Sequence, residues 1–352
     1  VDMPNEPAES NFKTKVKAVA YPTSERGGVI WAYMGPRTTP PPLPDFEANV
    51  LEGSTARGMQ RDCNWLQALE GDIDTCHTAI LHSGAITPEE VPDFAFAHFM
   101  VKNRAPHYAV VDHAVGSTYA AYCDAQPGEE FWRLGQYYMP IFTSPAPGLL
   151  GWERRVTMWV PMDDTHVMSY NLSAPRVEPG QTAPTPRLQF AMLPNTTDWY
   201  GRFRTPNQPE NDYLIDRDVQ RANKGPNGFT GISGVGPQDA AMQGSASMGW
   251  IYDRTGEHLG TSDAMIIRVR RRLLASARDL AEKGTVPPGV DNPEGYRLRS
   301  GGVFLKKGED WVQATSELQK AYVDHEGLDL RQNANGYARA LGRSQATSVR
   351  QS

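Results

Sequence analysis

The segment N-W-L-Q-A-L-E-G-D-I-D-T-C-H-T-A-I-L-H, residues 64–82, combines an apolar pattern with acidic side chains and two histidines. Its apolar residues recur at intervals closer to the helical period of about 3.6 than to the strand period of about 2. They are Trp65, Leu66, Leu69, Ile73, Ile80 and Leu81. The pattern therefore predicts a helical segment that presents its polar residues beside an apolar face.

The two histidines of this segment, His77 and His82, lie five residues apart in a chain that contains eight histidines. On a regular helix, residues five apart point roughly 140° away from each other. Their side chains can share a ligand only if the helix bulges, tightens or ends between them. Spacing alone therefore leaves two ordinary structural histidines as the default interpretation.

The chemistry around the histidines favours a metal site. Two neutral imidazoles and one carboxylate, with coordination positions left open, form the facial triad of non-heme Fe(II) oxygenases. Asp74 lies three residues before His77, so its side chain would lie near the first imidazole on a helix. Carboxylates in such a position orient histidine ligands.

The rest of the chain is rich in strand and turn signals. Residues 16–21 and 29–34 flank S-E-R-G-G, which predicts a β-hairpin, and a proline-rich connector follows at 38–44. Short alternating runs within 106–174 predict an antiparallel sheet of five to seven strands. Residues 175–210 are rich in proline and predict a loop.

One long helix is clear from its end signals. It covers about 262–283, with Ser262 as the expected N-cap and Gly284 as the expected stop. Its basic run Arg268–Arg272 predicts a solvated helix face. Helices that flank a single antiparallel sheet make the predicted fold class α+β.

Charge and cysteine usage exclude several classes of protein. The chain of 352 residues has a formal net charge of −6, so we expect no nucleic-acid partner. No apolar run approaches the roughly 20 residues that span a bilayer, so we expect no membrane partner. Three cysteines are too few for a disulfide scaffold and indicate a reducing, cytoplasmic location.

Three long motifs, in the same order, give the sequence a family resemblance. They are E-R-G-G-V-I-W-A-Y-M-G-P at 25–36, the segment 64–82, and G-F-T-G-I-S-G-V-G-P-Q-D-A-A-M at 228–242, which I-Y-D-R-T-G-E-H-L-G-T-S-D follows at 251–263. The chain resembles the catalytic subunits of Rieske-type non-heme iron oxygenases, in the branch of phthalate dioxygenase and aryl-ether O-demethylases. The resemblance implies a helix-grip catalytic domain, in which long helices cover a curved antiparallel sheet and enclose an apolar pocket.

The resemblance also implies a set of site residues. The family's D-x-x-H-x4-H motif falls on Asp74, His77 and His82, and the two histidines would ligate Fe(II). The aspartate of the Q-D element, Asp239, would be the third metal ligand. Asp74 would accept a hydrogen bond from His77 and, in a trimer, would bridge to a cluster-ligating histidine of the neighbouring subunit.

Two alternatives for the third ligand remain open in the sequence. Asp239 follows Gly236-Pro237 and could instead cap a helix. Asp216 and Asp218, in L-I-D-R-D, are the runner-up ligands, although charges on a helix surface explain them better.

The resemblance has one clear departure. A Rieske [2Fe-2S] cluster needs histidines two or three residues after its cysteines, and none of Cys63, Cys76 or Cys123 has one. We therefore expect the cluster in the complete protein but no ligands for it in this chain. Residues 1–44 are expected to be the tail of a truncated Rieske domain with a linker, and residues 45–352 the mononuclear-iron catalytic domain.

The implied function is activation of dioxygen at Fe(II), to hydroxylate or O-demethylate an aromatic acid or aryl ether. A reductase or ferredoxin would donate the electrons, and the family assembles as a homotrimer or hexamer. Two other classes stay open: a non-enzymatic helix-grip binder of apolar ligands, and a zinc hydrolase that uses the same ligand types.

Pocket residues are harder to assign from the sequence. Inward-facing strand positions such as Phe142, Trp159 and Met168 are candidates for contacts with the substrate. If the substrate is a carboxylate, an arginine should reach into the pocket, and Arg104 and Arg155 are the candidates.

Overall fold

The computed structural model describes residues 3–7, 9–91, 96–146, 148–151, 154–174 and 191–323. The strands are β1 Thr23–Arg26, β2 Val29–Ala32, β3 Thr55–Arg61, β4 His107–His113, β5 Gly116–Asp124, β6 Glu129–Tyr138, β7 Phe142–Ser144, β8 Arg155–Pro161, β9 Val167–Ser173 and β10 Gly301–Lys306. The helices are α1 Phe12–Lys15, α2 Trp65–Ile73, α3 His77–Leu81, α4 Phe96–Lys102, α5 Arg217–Ala222, α6 Val235–Gln243, α7 Ala264–Lys283 and α8 Trp311–Thr315. Of the predicted loop 175–210, residues 175–190 lie outside the described ranges, and 191–208 contain no helix or strand.

Eight strands form one antiparallel sheet in the order β3-β9-β8-β7-β6-β5-β4. Strand β10 joins it by pairing with the first part of β6, from Glu129 to Leu134. The last part of β6, from Gln136 to Tyr138, pairs with β7 on that edge. Strand β6 is therefore bonded along both edges, to β5 on one edge and to β7 and β10 on the other.

The predicted alternating runs between residues 106 and 174 are confirmed as strands β4, β5, β6, β8 and β9. The short β7 between these runs was missed, and so were two strands outside that range, β3 and β10. Strand β3 (T-A-R-G-M-Q-R) lacks the alternation of apolar and polar residues. Strand β10 begins with two glycines, and all but its last residue are buried. Both strands are placed by pairing with distant partners, β9 and β6, which a local pattern does not reveal.

The first hairpin was placed too early in the chain. Its strands β1 and β2 are joined by Gly27 and Gly28, whose φ angles of 59° and 76° suit a tight two-residue turn. Such a turn sets Arg26 opposite Val29, so the strand that pairs with β2 must be residues 23–26. The two glycines of the turn fix the pairing of the residues on either side of them, so residues 16–21 lie too early in the chain to pair with β2. The predicted strand 16–21 is therefore wrong.

One face of the sheet is covered by α2 and α7. The core there joins the two helices to inward positions of β5, β6, β8 and β9. Its buried members are Cys63, Ala68, Leu69, Ile73, Tyr119, Tyr137, Met139, Trp159, Val167, Met265 and Val269. The opposite face packs against Phe46 and Tyr296, whose rings contact Tyr138 and Phe142. The predicted α+β class and helix-grip arrangement are confirmed.

The long helix begins two residues later than predicted. A 3₁₀ turn occupies Thr261–Asp263, and Asp263, not Ser262, is the residue before α7. The Asp263 carboxylate accepts a hydrogen bond from Gly260 N at 2.7 Å, so it closes the preceding turn. The predicted stop is confirmed, since Gly284 has a left-handed φ of 68°. Within the described ranges, no helix has the length and apolar character needed to cross a membrane.

The predicted helix over 64–82 is divided in two. Helix α2 ends at Ile73, and Asp74 is extended with ψ at 106°. Helix α3 then starts at His77 and ends at Leu81, so His82 lies just beyond it. The condition set by the spacing is met, because the helix ends between the two histidines.

Candidate metal centre

His77 is fixed by the break that follows α2. The main-chain carbonyl of Asp74 lies 2.6 Å from His77 Nδ1. A carbonyl oxygen only accepts, so Nδ1 must donate its proton. A neutral ring then carries its lone pair on Nε2, the atom that a metal ion would bind.

His82 is held in the same tautomer by a different partner. Its Nδ1 lies 2.7 Å from Oε1 of Gln238, whose own Nε2 donates to Ile232 O at 2.8 Å. The second bond fixes which end of the amide faces the imidazole, so His82 Nδ1 donates and Nε2 is again left with the lone pair. Gln238 is only 2% exposed, so water does not compete for this amide.

Asp239 completes a group of three ligand atoms. Its Oδ1 lies 3.1 Å from His82 Nε2 and 3.6 Å from His77 Nε2, and the two nitrogens are 3.1 Å apart. Two ligands bound at right angles, each about 2.1 Å from an ion, are about 3.0 Å apart. The three atoms therefore fit one transition-metal ion. Among the described residues, this is the group of histidine, cysteine and carboxylate side chains whose geometry could hold a metal.

The electrostatics of the group favour a positive charge at its centre. Burial alone lowers the pKa of His82, but the Asp239 carboxylate beside its Nε2 raises the pKa above the usual value, because it stabilises a proton on that atom when no metal is bound. Burial raises the pKa of Asp239, yet the neighbouring His82 and the charge of Arg61 hold it below its usual range. Two nitrogen lone pairs this close to a carboxylate repel one another unless a cation lies between them, and a divalent metal ion would supply that charge.

The comparisons with known proteins give the family. The family described as "LigXa C-terminal domain like" matches residues 32–334. The 3-chlorobenzoate-3,4-dioxygenase oxygenase subunit of Comamonas testosteroni is 38% identical over 92% of this chain and 76% of its own length. The phthalate 4,5-dioxygenase oxygenase subunit of Pseudomonas putida is 32% identical over 92% of this chain and 73% of its own length. The chain belongs to this family of Rieske-type oxygenase subunits.

A solved structure was also found, the terminal oxygenase of carbazole 1,9a-dioxygenase from Nocardioides aromaticivorans IC177. It is 16% identical, with 79% of this chain and 72% of that chain aligned at a TM-score of 0.41. Family membership confirms the predicted class of aromatic oxygenase. It sets aside the helix-grip binder and the zinc hydrolase.

The three aspartates considered for the third ligand differ in where the structure places them. Asp239 is the fifth residue of α6, and Gly234 precedes that helix, so Asp239 is not an N-cap. Asp216 caps α5, where it accepts from Asp218 N and Val219 N at 2.9 and 3.0 Å. Asp218 is exposed and forms an ion pair with Arg221. The structure brings neither Asp216 nor Asp218 to the histidines.

Asp74 contacts His77 through a different atom from the one predicted. The nearest carboxylate oxygen lies 3.7 Å from His77 Nδ1, beyond hydrogen-bond range, whereas the main-chain oxygen lies at 2.6 Å. The other carboxylate oxygen accepts from Cys76 N at 2.7 Å. The difference follows from the end of α2, because a carbonyl at a helix end has no partner within the helix and can turn to the imidazole.

The predicted pocket residues divide between the two faces of the sheet. Trp159 lies in the core beneath α2 and α7, on the side of the histidines. Phe142 packs against the opposite face. Met168 follows Val167, which belongs to the helix-covered core, so strand alternation turns Met168 to the opposite face as well. Phe142 and Met168 are therefore wrong as pocket candidates.

The two arginines proposed from the sequence already have partners. Arg104 donates to the carbonyls of Ser83, Gly84 and Ile86 at 3.2, 3.0 and 2.8 Å, so it holds the loop after His82. The guanidinium of Arg155 lies 2.7 and 3.1 Å from the side-chain oxygen of Asn171, when that amide is oriented to accept. Neither is a good candidate for binding a carboxylate.

Sequence reasoning missed Arg133. Strand alternation places it on the same face as Phe131 and Tyr137, beneath the helices. Burial lowers the pKa of Arg133, and the nearby phenols of Tyr119 and Tyr108 partly oppose that effect. No described residue forms a hydrogen bond or an ion pair with its guanidinium. The signal in the sequence was a charged residue at an inward position of F-W-R-L-G-Q-Y-Y.

The segments that carry the candidate metal ligands are aligned by a close contact between α2 and α6. Gln67 Nε2 donates to Gln243 O at 2.9 Å, and Gln243 Nε2 donates to Gln67 O at 3.1 Å. A Cβ atom at Gly71 would lie only 1.7 Å from that same Gln243 Nε2. Glycine at this position lets the amide of α6 reach the backbone of α2.

We expect Gly71→Ala to destabilise the fold by about 1–3 kcal/mol. Its methyl group would displace the buried Gln243 amide, and losing those bonds outweighs the roughly 1 kcal/mol by which alanine favours a helix. Urea unfolding measures the change. Gly256→Ala is the matched control, because nothing lies within 4 Å of its added Cβ, and it should stay within about 0.5 kcal/mol. Equal stability of the two variants would contradict the proposed close contact.

Proposed function

We propose that this oxygenase subunit binds one Fe(II) through His77 Nε2, His82 Nε2 and the Asp239 carboxylate. The observation that carries the proposal is the convergence of these atoms within 3.1–3.6 Å, with both Nδ1 protons committed to other acceptors. When bound, iron would supply the centre at which dioxygen is activated for hydroxylation or O-demethylation. A single carboxylate among the ligands leaves a net positive charge for dioxygen chemistry.

The residues around the triad would keep it preorganised. Gln238 holds His82 in one tautomer, and the Asp74 carbonyl does the same for His77. The side chains of His77 and Asp239 remain 24% and 21% exposed, so one side of the group is open. An open side is what a site needs if dioxygen and substrate are to approach a metal held by three protein ligands.

The proposed substrate is an aromatic carboxylate, bound by Arg133. By their names, two relatives of this chain act on 3-chlorobenzoate and phthalate, which both carry a carboxylate on an aromatic ring. A guanidinium with no hydrogen-bond or ion-pair partner among the described residues, beneath the helices that cover the sheet, can bind a carboxylate with two parallel hydrogen bonds. Tyr119 connects this region to the metal side, because its hydroxyl donates to Asp72 O on α2 at 3.4 Å.

Electrons would come from outside this chain's own residues. In the complete protein, a Rieske [2Fe-2S] domain, of which residues 1–44 would be the tail and linker, would receive them from a ferredoxin or reductase. A homotrimer or hexamer would bring a neighbour's cluster to the mononuclear site. Asp74 is the proposed bridge, because its partly exposed carboxylate follows α2 beside His77.

Alanine at His77, His82 or Asp239 should remove mononuclear iron while the fold persists, since two remaining ligands hold this labile ion poorly. The measurement is iron content per chain after anaerobic reconstitution, with circular dichroism to check the fold. Asp218→Ala is the matched control and should retain iron, because its carboxylate is exposed and pairs only with Arg221. Full iron occupancy in Asp239→Ala would refute the ligand assignment.

Asp74→Asn should keep iron and substrate binding but slow electron transfer to the iron, because the amide keeps the shape and loses the charge. The test is single-turnover oxidation of a prereduced cluster in the complete protein, with Asp218→Asn as a surface control. Normal cluster oxidation with normal iron content would show that Asp74 lies outside the electron route. Loss of iron would instead make Asp74 a support for His77.

Arg133→Gln should weaken binding of a carboxylated substrate by about 10- to 100-fold, the value of a charge-assisted pair of hydrogen bonds. Calorimetric titration of the anaerobic protein with 3-chlorobenzoate and with phthalate measures it, and uncharged chlorobenzene serves as the ligand control. Arg155→Gln is the matched protein control and should bind as wild type does. If Arg155→Gln loses affinity and Arg133→Gln does not, the anchor is Arg155.

A further inference from the structure

A buried carboxylate lies one helical turn before Asp74. Glu70 on α2 has a side chain only 10% exposed, and both of its oxygens are engaged. Arg270 binds it with two bonds, Nε to Oε1 at 2.6 Å and Nη2 to Oε2 at 2.9 Å. Arg254 Nη1 adds a third bond to Oε2 at 2.8 Å.

A second carboxylate completes the group. Arg270 also binds Glu257, with Nη2 at 2.9 Å from Oε1 and a second contact from Nη1. We call Glu70, Arg254, Glu257 and Arg270 the Glu70 clamp. Its two positive and two negative charges balance, and its side chains are 10–29% exposed. Pairs this sheltered are screened far less by salt than surface pairs.

The clamp accounts for two sequence features that the metal site does not use. Arg254 and Glu257 belong to the motif 251–263, which otherwise contributes no ligand. Arg270 belongs to the basic run Arg268–Arg272, which was predicted to be a solvated helix face. That prediction is wrong for Arg270, because the run turns this side chain toward α2.

The clamp acts on the residue that ends α2. Glu70 O accepts from Asp74 N at 3.0 Å, which is the final bond of the helix. The main-chain oxygen of the same residue, Asp74 O, accepts from His77 Nδ1 at 2.6 Å. Two hydrogen bonds therefore link the clamped residue to the imidazole, one between main-chain groups and one from His77 Nδ1 to a main-chain oxygen. A shift of Glu70 would move the acceptor that fixes the tautomer of His77.

We propose that the Glu70 clamp is a positioning device for the metal centre: it sets where α2 ends and thereby orients His77. The inference rests on the proposed metal site. The competing explanation is that the clamp only stabilises the packing of α7 against α2. The two explanations differ in what happens to metal affinity in protein that is still folded.

The experiment compares Glu70→Gln with wild type by anaerobic titration of the metal-free protein with Fe(II), well below the unfolding temperature. We expect at least about tenfold weaker binding, the usual effect of losing a group that orients a ligand. Co(II) is the second probe, because the intensity of its visible absorption bands reports the arrangement of ligands around the ion. The bands of Co(II) in Glu70→Gln should differ from those in wild type.

Arg268→Gln is the matched control. Arg268 lies on the same helix and also binds a carboxylate, but its partner is Asp112 on β4 and not a residue of α2. Loosening α7 in this way should lower the melting temperature of the metal-free protein and leave Fe(II) affinity unchanged. If Glu70→Gln does not fold, Arg270→Lys carries the same test, because it keeps the charge and loses the two-bond fork.

A lower melting temperature with Fe(II) affinity within twofold of wild type, and with unchanged Co(II) bands, would overturn the positioning role and leave the clamp purely structural. Failure of the wild-type protein to bind either ion would overturn the metal site itself, and the positioning role with it. Weakened binding in Glu70→Gln together with normal binding in Arg268→Gln supports the proposal.

Discussion

The paired amides of Gln67 and Gln243 are the interaction on which the arrangement of the site depends. Each side chain donates to the main-chain oxygen of the other, so α2 and α6 are held at one fixed separation and register. Helix α2 leads directly to His77, and α6 carries Asp239. Because the ligand residues are 162 positions apart in the chain, from 77 to 239, a local rule cannot place them together. A buried, fully paired polar contact gives the specificity that apolar packing alone would not.

The break after α2 orients His77 in a way that a continuous helix could not. A regular helix would point the side chains of His77 and His82 roughly 140° apart. The chain instead leaves the helical conformation at Asp74, restarts it at His77 and ends this short helix at Leu81, with His82 as the C-cap residue. The departure at Asp74 leaves the main-chain carbonyl of that residue free to accept from His77 Nδ1, which fixes the imidazole. The break before His77 and the C-cap position of His82 are therefore the local features that present the two imidazoles.

Patterns in neighbouring residues predicted correctly those strands and helix ends that depend only on neighbouring residues. The five alternating runs became strands, and Gly284 ended the long helix, because side-chain alternation and a left-handed stop are encoded in neighbouring residues. Strands β3 and β10 were missed because their partners are distant, and Ser262 was misplaced as a cap because a 3₁₀ turn precedes α7. The triad of His77, His82 and Asp239 came from the family resemblance and not from spacing. Arg133 was overlooked because its lack of a partner among the described residues is a tertiary property.

The helix-grip fold places the proposed metal ligands and the proposed substrate-binding arginine in different layers. The proposed metal ligands lie on α3, at its end and on α6, in the layer that covers the sheet, whereas Arg133 lies on β6 within the sheet. Strand β6 is bonded along both edges, so its backbone is rigid while its inward side chains can vary. A substitution at an inward strand position can therefore alter which aromatic acid fits without moving a metal ligand. Substitutions that alter the α2–α6 contact would act on the proposed metal site for every substrate alike, so recognition and metal binding should respond to different sets of substitutions.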